Sequence, residues 1–194
     1  MTWFRKKSYA APGIPFPGPF DAGFALDFHS VFKNEEWHRT IVGEQVYRFK
    51  YQGCAGSGRW LTNVCLEFLN RLSPPWEINI ILAMPPSRPR KRLTAVEFVA
   101  LKIARKLNAT FLFRELDKLR PTSFMKEAGT LERKHDIIHH TMVVHRPETL
   151  KTKRILLLDD LFESGATSTE AVRVLREANP AWIGFLAWTV ACRV

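Results

Sequence analysis

The sequence predicts an α/β domain built on an open, parallel sheet flanked by helices. Two observations predict it. Ile78–Met84, Arg154–Asp160 and Trp182–Val190 are short, nearly continuous apolar runs, the pattern of strands buried on both faces. Thr94–Leu107 and the stretch from about Thr167 to Ala178 carry helical spacing and alternate with those runs. Strands that alternate with helices imply right-handed crossovers and a parallel sheet. At 194 residues one compact core is expected, with room for a small appended lobe.

From the N-terminus, residues 11–20 hold too much Pro and Gly for a helix or a central strand and read as an extended or turn-rich arm. Residues 41–50 fit a strand or a weak helix equally. From Gly58 to Leu72 the apolar positions Trp60, Leu61, Val64, Cys65, Phe68, Leu69 and Leu72 fall at helical intervals, and Ser73-Pro74-Pro75 stops that helix. The strand Ile78–Met84 runs into a Pro- and Arg-rich turn, Pro85–Arg92. Thr94–Leu107 sets Val96, Val99, Ala100, Ile103, Ala104 and Leu107 on one face of an amphipathic helix that Asn108 closes. Ala109–Arg114 reads as a second strand. Residues 117–140 are polar, lack a period, and are longer than most connections in a compact domain, which marks a lid or binding loop. Thr141–Val144 is a short strand, and strand, helix and strand close the chain over Arg154–Asp160, Thr167–Ala178 and Trp182–Val190. No internal repeat is present. The boundary drawn is an N-terminal arm and hood-like region over 1–75 and a core over 76–194.

Composition narrows the class. Fourteen Phe and six Trp, with many aliphatic residues, exclude a disordered chain. The longest apolar stretches fall short of the roughly 18 residues a membrane span needs. The basic N-terminus has no apolar stretch behind it, so no secretory signal is expected. Three cysteines, Cys54, Cys65 and Cys192, lack Cys-x-x-Cys spacing, which fits a reducing cytoplasm better than a disulfide framework or a zinc ribbon. The formal net charge of +10 attracts polyanions, whether nucleic acid, phosphorylated metabolites or an acidic partner. Residues 85–107 concentrate it, with Glu97 as their single acid.

Chemistry gathers where strands end, because ligands of open parallel sheets bind beyond the carboxyl ends. Asp159 and Asp160 close the most apolar strand. Adjacent carboxylates there repel, lose water, and call for hydroxyl donors, a cation or a metal. Ser164-Gly165-Ala166-Thr167 follows, a small-residue loop entering a helix, where free amides and hydroxyls can cradle a phosphate. Vicinal hydroxyls a few ångströms from a phosphomonoester satisfy both halves, and ribose 5-phosphate is such a ligand. The plainer alternative is a solvated turn with a helix cap. His135 and His139 have metal-helix spacing, but the acid between them is Asp136 and no third ligand is evident, so no metal role is assigned.

On these residues, Ile155–Thr169 resembles the signature with which type I phosphoribosyltransferases bind 5-phosphoribosyl 1-diphosphate (PRPP). The resemblance implies a type I phosphoribosyltransferase-like fold with a small N-terminal hood. It implies that Asp159 and Asp160 contact the ribose hydroxyls and that Glu163, Ser164, Gly165, Ala166 and Thr167 hold the 5′-phosphate. Glu163 departs from the pattern, where Thr or Ser is common, and is expected to point outward. The segment after the first core strand matches the family's pyrophosphate loop, which implies that role for Ser87, Arg88 and Arg90. The 117–140 loop, with Arg120, Thr122, Lys126 and Arg133, resembles the family's closing catalytic loop, and Lys126 and Arg133 are its expected pyrophosphate contacts. Pro85-Pro86-Ser87-Arg88, Tyr47-Arg48-Phe49-Lys50-Tyr51 and Asp159-Asp160-Leu161-Phe162 are most similar to the competence-type (ComF-like) branch, without that branch's N-terminal zinc module and without its Arg-Gly-Phe-Asn run. By elimination the hood comes from residues 1–75, including Asp27, Phe28 and His29.

The expected function is therefore transfer of ribose 5-phosphate from PRPP, with Mg²⁺ bound through PRPP oxygens, to a nitrogen acceptor (a nucleobase or ammonia) with release of pyrophosphate. No general base is assigned. The rival expectation is a non-catalytic PRPP sensor or nucleic-acid-binding protein that reuses the fold. A cytoplasmic homo-oligomer without membrane contact is expected in either case.

Overall fold

A computed structural model describes residues 9–88, 91–120 and 140–192. Its centre is a six-stranded sheet in the order β1-β2-β10-β9-β5-β6, formed by β1 (Ile14–Pro15), β2 (Ala22–Phe28), β5 (Ile80–Ala83), β6 (Thr110–Phe111), β9 (Arg154–Phe162) and β10 (Trp182–Val190). All neighbours are parallel except β1, which runs antiparallel to β2. Helices α1 (Ile41–Gln52), α2 (Ala55–Arg71), α3 (Ala95–Leu107) and α4 (Ala166–Glu177) flank it. Two small ladders complete the described fold: the hairpin β3 (Ser30–Lys33) with β4 (Glu36–Arg39), and β7 (Leu116–Lys118) with β8 (Met142–Val144). The predicted α/β class with a mostly parallel sheet is the one observed.

The β9 run reads as continuous apolar sequence because both its faces are covered. Ile155 and Leu157 pack with Phe185, Ala187 and α4, while Leu156 and Leu158 pack with Leu186, Trp188 and helices α1 to α3. Alternate residues of a strand point to opposite faces, so each side of the sheet acquires its own core. All four β9 residues are fully buried.

Local chemistry sets the helix ends. Thr40 caps α1 by accepting the Gly43 N–H at 3.0 Å, and Gly53 ends it in the left-handed region at φ 66°. Thr94 and Glu97 form a reciprocal capping box on α3, which Asn108 closes at φ 54°. Among the described residues, no helix is long and apolar enough to cross a membrane.

Several elements differ from expectation. Residues 41–50, undecided from sequence, form α1. Ala109–Arg114 yields only the two-residue β6. Asp117 and Lys118, expected within an irregular loop, join Leu116 in β7 and pair with β8; residues 121–139 of that loop lie outside the described residues. β2 was not foreseen at all, yet it lies inside the central sheet, paired with β10 from Ala22 to Phe28. Its sequence, Ala-Gly-Phe-Ala-Leu-Asp-Phe, mixes small residues with large ones and shows no clean period. Thus residues 9–75 contribute two strands of the main sheet, the β3–β4 hairpin and two helices packed on one of its faces.

Candidate functional site

The chain leaves β5 through α3 toward β6 on one side and leaves β9 through α4 toward β10 on the other. The winding reverses between β5 and β9, which are adjacent and in register from Ile80↔Ile155 to Ala83↔Leu158. Such a reversal leaves a crevice at the carboxyl ends of the two strands. Asp159 and Asp160 stand at this end of β9, and the strand continues past them to Phe162. The Met84 N–H donates to the Leu158 carbonyl at 2.7 Å, so the loop after β5 begins alongside the acids.

The two carboxylates meet different surroundings. By strand alternation Asp160 lies on the face of Leu156 and Leu158, where α1 packs, and its carboxylate forms an ion pair with Lys50 of α1. Asp159 accepts the Asp160 N–H at 2.8 Å. Burial pushes the Asp159 carboxyl up to about 8, and the Asp160 charge adds to that; the Asp160 N–H, Lys50 and Lys118 oppose it. Burial alone would lower the Lys50 ammonium, but the charge and hydrogen bond of Asp160, with smaller help from Tyr51 and Asp159, outweigh it and raise it. Lys118 on β7 is lowered by burial, with Asp159 partly restoring it. Two acids and two lysines thus make a partly desolvated cluster at the sheet end.

Beyond Phe162, Glu163 is exposed, while Ser164 and Gly165 are half-buried and lead into α4. Gly165 adopts φ +82°, and a Cβ there would stand 3.3 Å from the Phe162 ring. The Ser168 hydroxyl donates to the Gly165 carbonyl at 2.9 Å, and the Ala166 N–H donates to Ser164 Oγ at 3.4 Å. The first-turn amides of α4 have no carbonyl of their own helix to bind. Ala166 is buried beneath this turn, with Thr167 half-exposed beside it. Ser87 and Arg88 are exposed on the loop after β5. Arg90, Lys126 and Arg133 lie outside the described residues.

A second network, which the sequence reading did not assemble, joins β2 to this end. The Thr189 hydroxyl of β10 donates to the Asp160 carbonyl at 2.9 Å and lies 3.2 Å from His29 Nδ1. His29 is fixed just past β2: its N–H donates to the Val190 carbonyl at 2.8 Å and its carbonyl accepts the Thr40 N–H at 3.2 Å. Gly43 packs against that carbonyl so closely that a Cβ would lie 2.0 Å from the oxygen. Burial lowers the His29 imidazole, with Arg39 and Lys50 adding to the effect and Asp160 opposing it. Asp27 is otherwise engaged, accepting the Tyr9 hydroxyl at 2.6 Å and the Phe28 N–H at 2.8 Å. Lys50, Lys118 and Thr189 are distant in sequence from the acids, and only the packing of α1, β7 and β10 brings them together. Among the described residues, no group of three or more His, Cys, Asp or Glu side chains could hold a metal.

No family model matches the chain, and no curated protein does. Among solved structures it is similar to UMP synthase of Leishmania donovani, at 16% identity and a TM-score of 0.44, over 81% of this chain and 26% of that one. It is also similar to the glutamine phosphoribosylpyrophosphate amidotransferase from B. subtilis, at 14% identity and a TM-score of 0.49, over 82% of this chain and 35% of that one. The chain therefore spans about a quarter of the first and about a third of the second.

Proposed function

We propose that this site binds PRPP and transfers its ribose 5-phosphate to a nitrogen acceptor, with release of pyrophosphate. One observation carries the reading. A pair of acids at the carboxyl end of β9, at the reversal of the sheet, is followed within one turn by a glycine at φ +82° that opens α4. In the reading, Asp159 and Asp160 accept the ribose hydroxyls and face the positive charge that develops on the sugar. The Glu163–Thr167 turn holds the 5′-phosphate on its amides and hydroxyls, and that remote anion supplies binding energy for the reaction at C1. Ser87, Arg88 and Arg90 meet the pyrophosphate after β5, and Lys126 and Arg133 belong to the segment that completes its neutralisation.

The donor set suits a magnesium ion carried by the substrate. Asp160 is engaged by Lys50 and Asp159 is strongly desolvated, so the acids form no cage of their own; Mg²⁺ instead favours diphosphate oxygens and retained waters. Bound there, it would offset charge on the leaving group.

The test is pyrophosphate release from Mg–PRPP across ammonia and a panel of purine and pyrimidine bases. Release with an acceptor, lost in Asp159→Asn/Asp160→Asn, is expected; release that the double variant retains would contradict the site. The net charge of +10 favours a second reading, a PRPP sensor or nucleic-acid-binding protein of the same fold. Single-stranded DNA retained under saturating Mg–PRPP, and released by salt, would support that one.

A further inference from the structure

A nitrogen nucleophile must lose a proton in the proposed reaction, and Asp159, Asp160 and the Glu163–Thr167 turn are already assigned to the ribose and the phosphate. We infer that His29, through Nε2, is the base that takes that proton. The inference rests on the PRPP reading and on the hydrogen-bond logic of three residues. A threonine hydroxyl has one hydrogen, and a carbonyl can only accept. With the Thr189 hydrogen on the Asp160 carbonyl, the shorter of its two contacts, Oγ1 is left to accept from His29, which assigns the His29 proton to Nδ1. The same bond orients the ring and leaves Nε2 with a lone pair. Among the described residues no hydrogen bond to Nε2 is present.

Position supports the role. Through Thr189 the imidazole is tied to the backbone carbonyl of Asp160, at the end of the sheet where that residue's carboxylate is assigned to the ribose. Its backbone is held from both sides, by β10 through Val190 and by the start of α1 through Thr40, with Gly43 allowing the close approach. A base that works at neutral pH must rest unprotonated. Burial, with Arg39 from β4 and Lys50 from α1, favours the neutral ring, and Asp160 from β9 opposes them. Arrival of the polyanionic substrate adds negative charge nearby and raises its proton affinity when it is needed.

The step balances. The acceptor nitrogen forms a bond to C1 while the bond from C1 to the pyrophosphate oxygen breaks and its electron pair leaves with pyrophosphate. The acceptor N–H proton passes to Nε2, and the imidazolium returns it to water after release.

The experiment compares wild type with His29→Asn, whose amide can still donate to Thr189 but cannot take the proton. Calorimetry with Mg–PRPP and pyrophosphate release with the ammonia and nucleobase panel are measured on both. Expected are unchanged Mg–PRPP binding, a fall in kcat of about 10²- to 10⁴-fold, and loss of the acidic limb of the pH profile. Equal kcat and an unchanged acidic limb in the variant overturn the inference. So does a wild type that binds Mg–PRPP but releases no pyrophosphate with any acceptor, which leaves the binding reading standing. Failure of wild type to bind Mg–PRPP removes that reading itself. Independently of turnover, ¹⁵N spectra of the His29 ring are expected to show the proton on Nδ1; a proton on Nε2 in the neutral ring also overturns it.

Discussion

Asp159 carries an energetic cost in the ligand-free protein. Asp159 is half-buried, and desolvation beside a second acid holds its carboxyl far above the ordinary value near 4. A group whose folded pKa is raised contributes stability that is full below its unfolded pKa and is lost as pH rises through the folded one. Between about pH 4 and about pH 8 this residue therefore makes the free protein progressively less stable. Asp159→Asn is expected to flatten that slope and to stabilise the protein by about 1–3 kcal/mol at pH 9, with little change at pH 4. Urea denaturation at the two pH values measures it; a variant less stable than wild type at pH 9 would show that the carboxylate is not the strained group. Of these residues, the acids and the small-residue turn were legible because they are contiguous in sequence. Lys50 stands in a mixed aromatic and basic run that does not single it out, and Thr189 lies in a run that reads simply as buried strand. Contacts across such sequence distances leave no local pattern.

At the scale of elements, the turn between β9 and α4 depends on a glycine. Gly165 occupies the left-handed region, which disfavours a side chain, and the Phe162 ring closes the space above it. Gly165→Ala is expected to cost about 1–2 kcal/mol of stability and to weaken Mg–PRPP binding about tenfold or more, because the amides that follow would be displaced. Thermal unfolding and calorimetry report the two effects separately, and an alanine variant that binds as wild type would remove this turn from the phosphate site. The elements around it were legible in proportion to their regularity. The strand β9 and the helices α3 and α4 announced themselves through unbroken apolar runs and 3.6-residue spacing. The hairpin β3–β4 did not, because its turn uses Asn34 and Glu35 at φ 50° and 64° rather than a glycine. Helix α1 was ambiguous because β-branched Ile41, Val42 and Val46 weaken its propensity, and its capping and packing decide the outcome.

For the whole molecule, the sheet order brings three separately coded regions to one end: the loop after β5, the acids and turn after β9, and His29 after β2. Parallel strands align their carboxyl ends, and the reversal between β5 and β9 opens the space between them. The parallel sheet was readable from the alternation of strands and helices, whereas the entry of β2 beside β10 was not, since its pairing partner lies at the far end of the chain. The excess positive charge makes the surface attractive to polyanions in general, so a specific ligand must be separated from general attraction. Calorimetric titration with Mg–PRPP at moderate and high salt, for wild type and Asp159→Asn/Asp160→Asn, makes that separation. Saturable heat in wild type that persists at high salt and falls at least tenfold in affinity in the double variant is the predicted result; absence of heat, or equal heat from both proteins, would contradict the site.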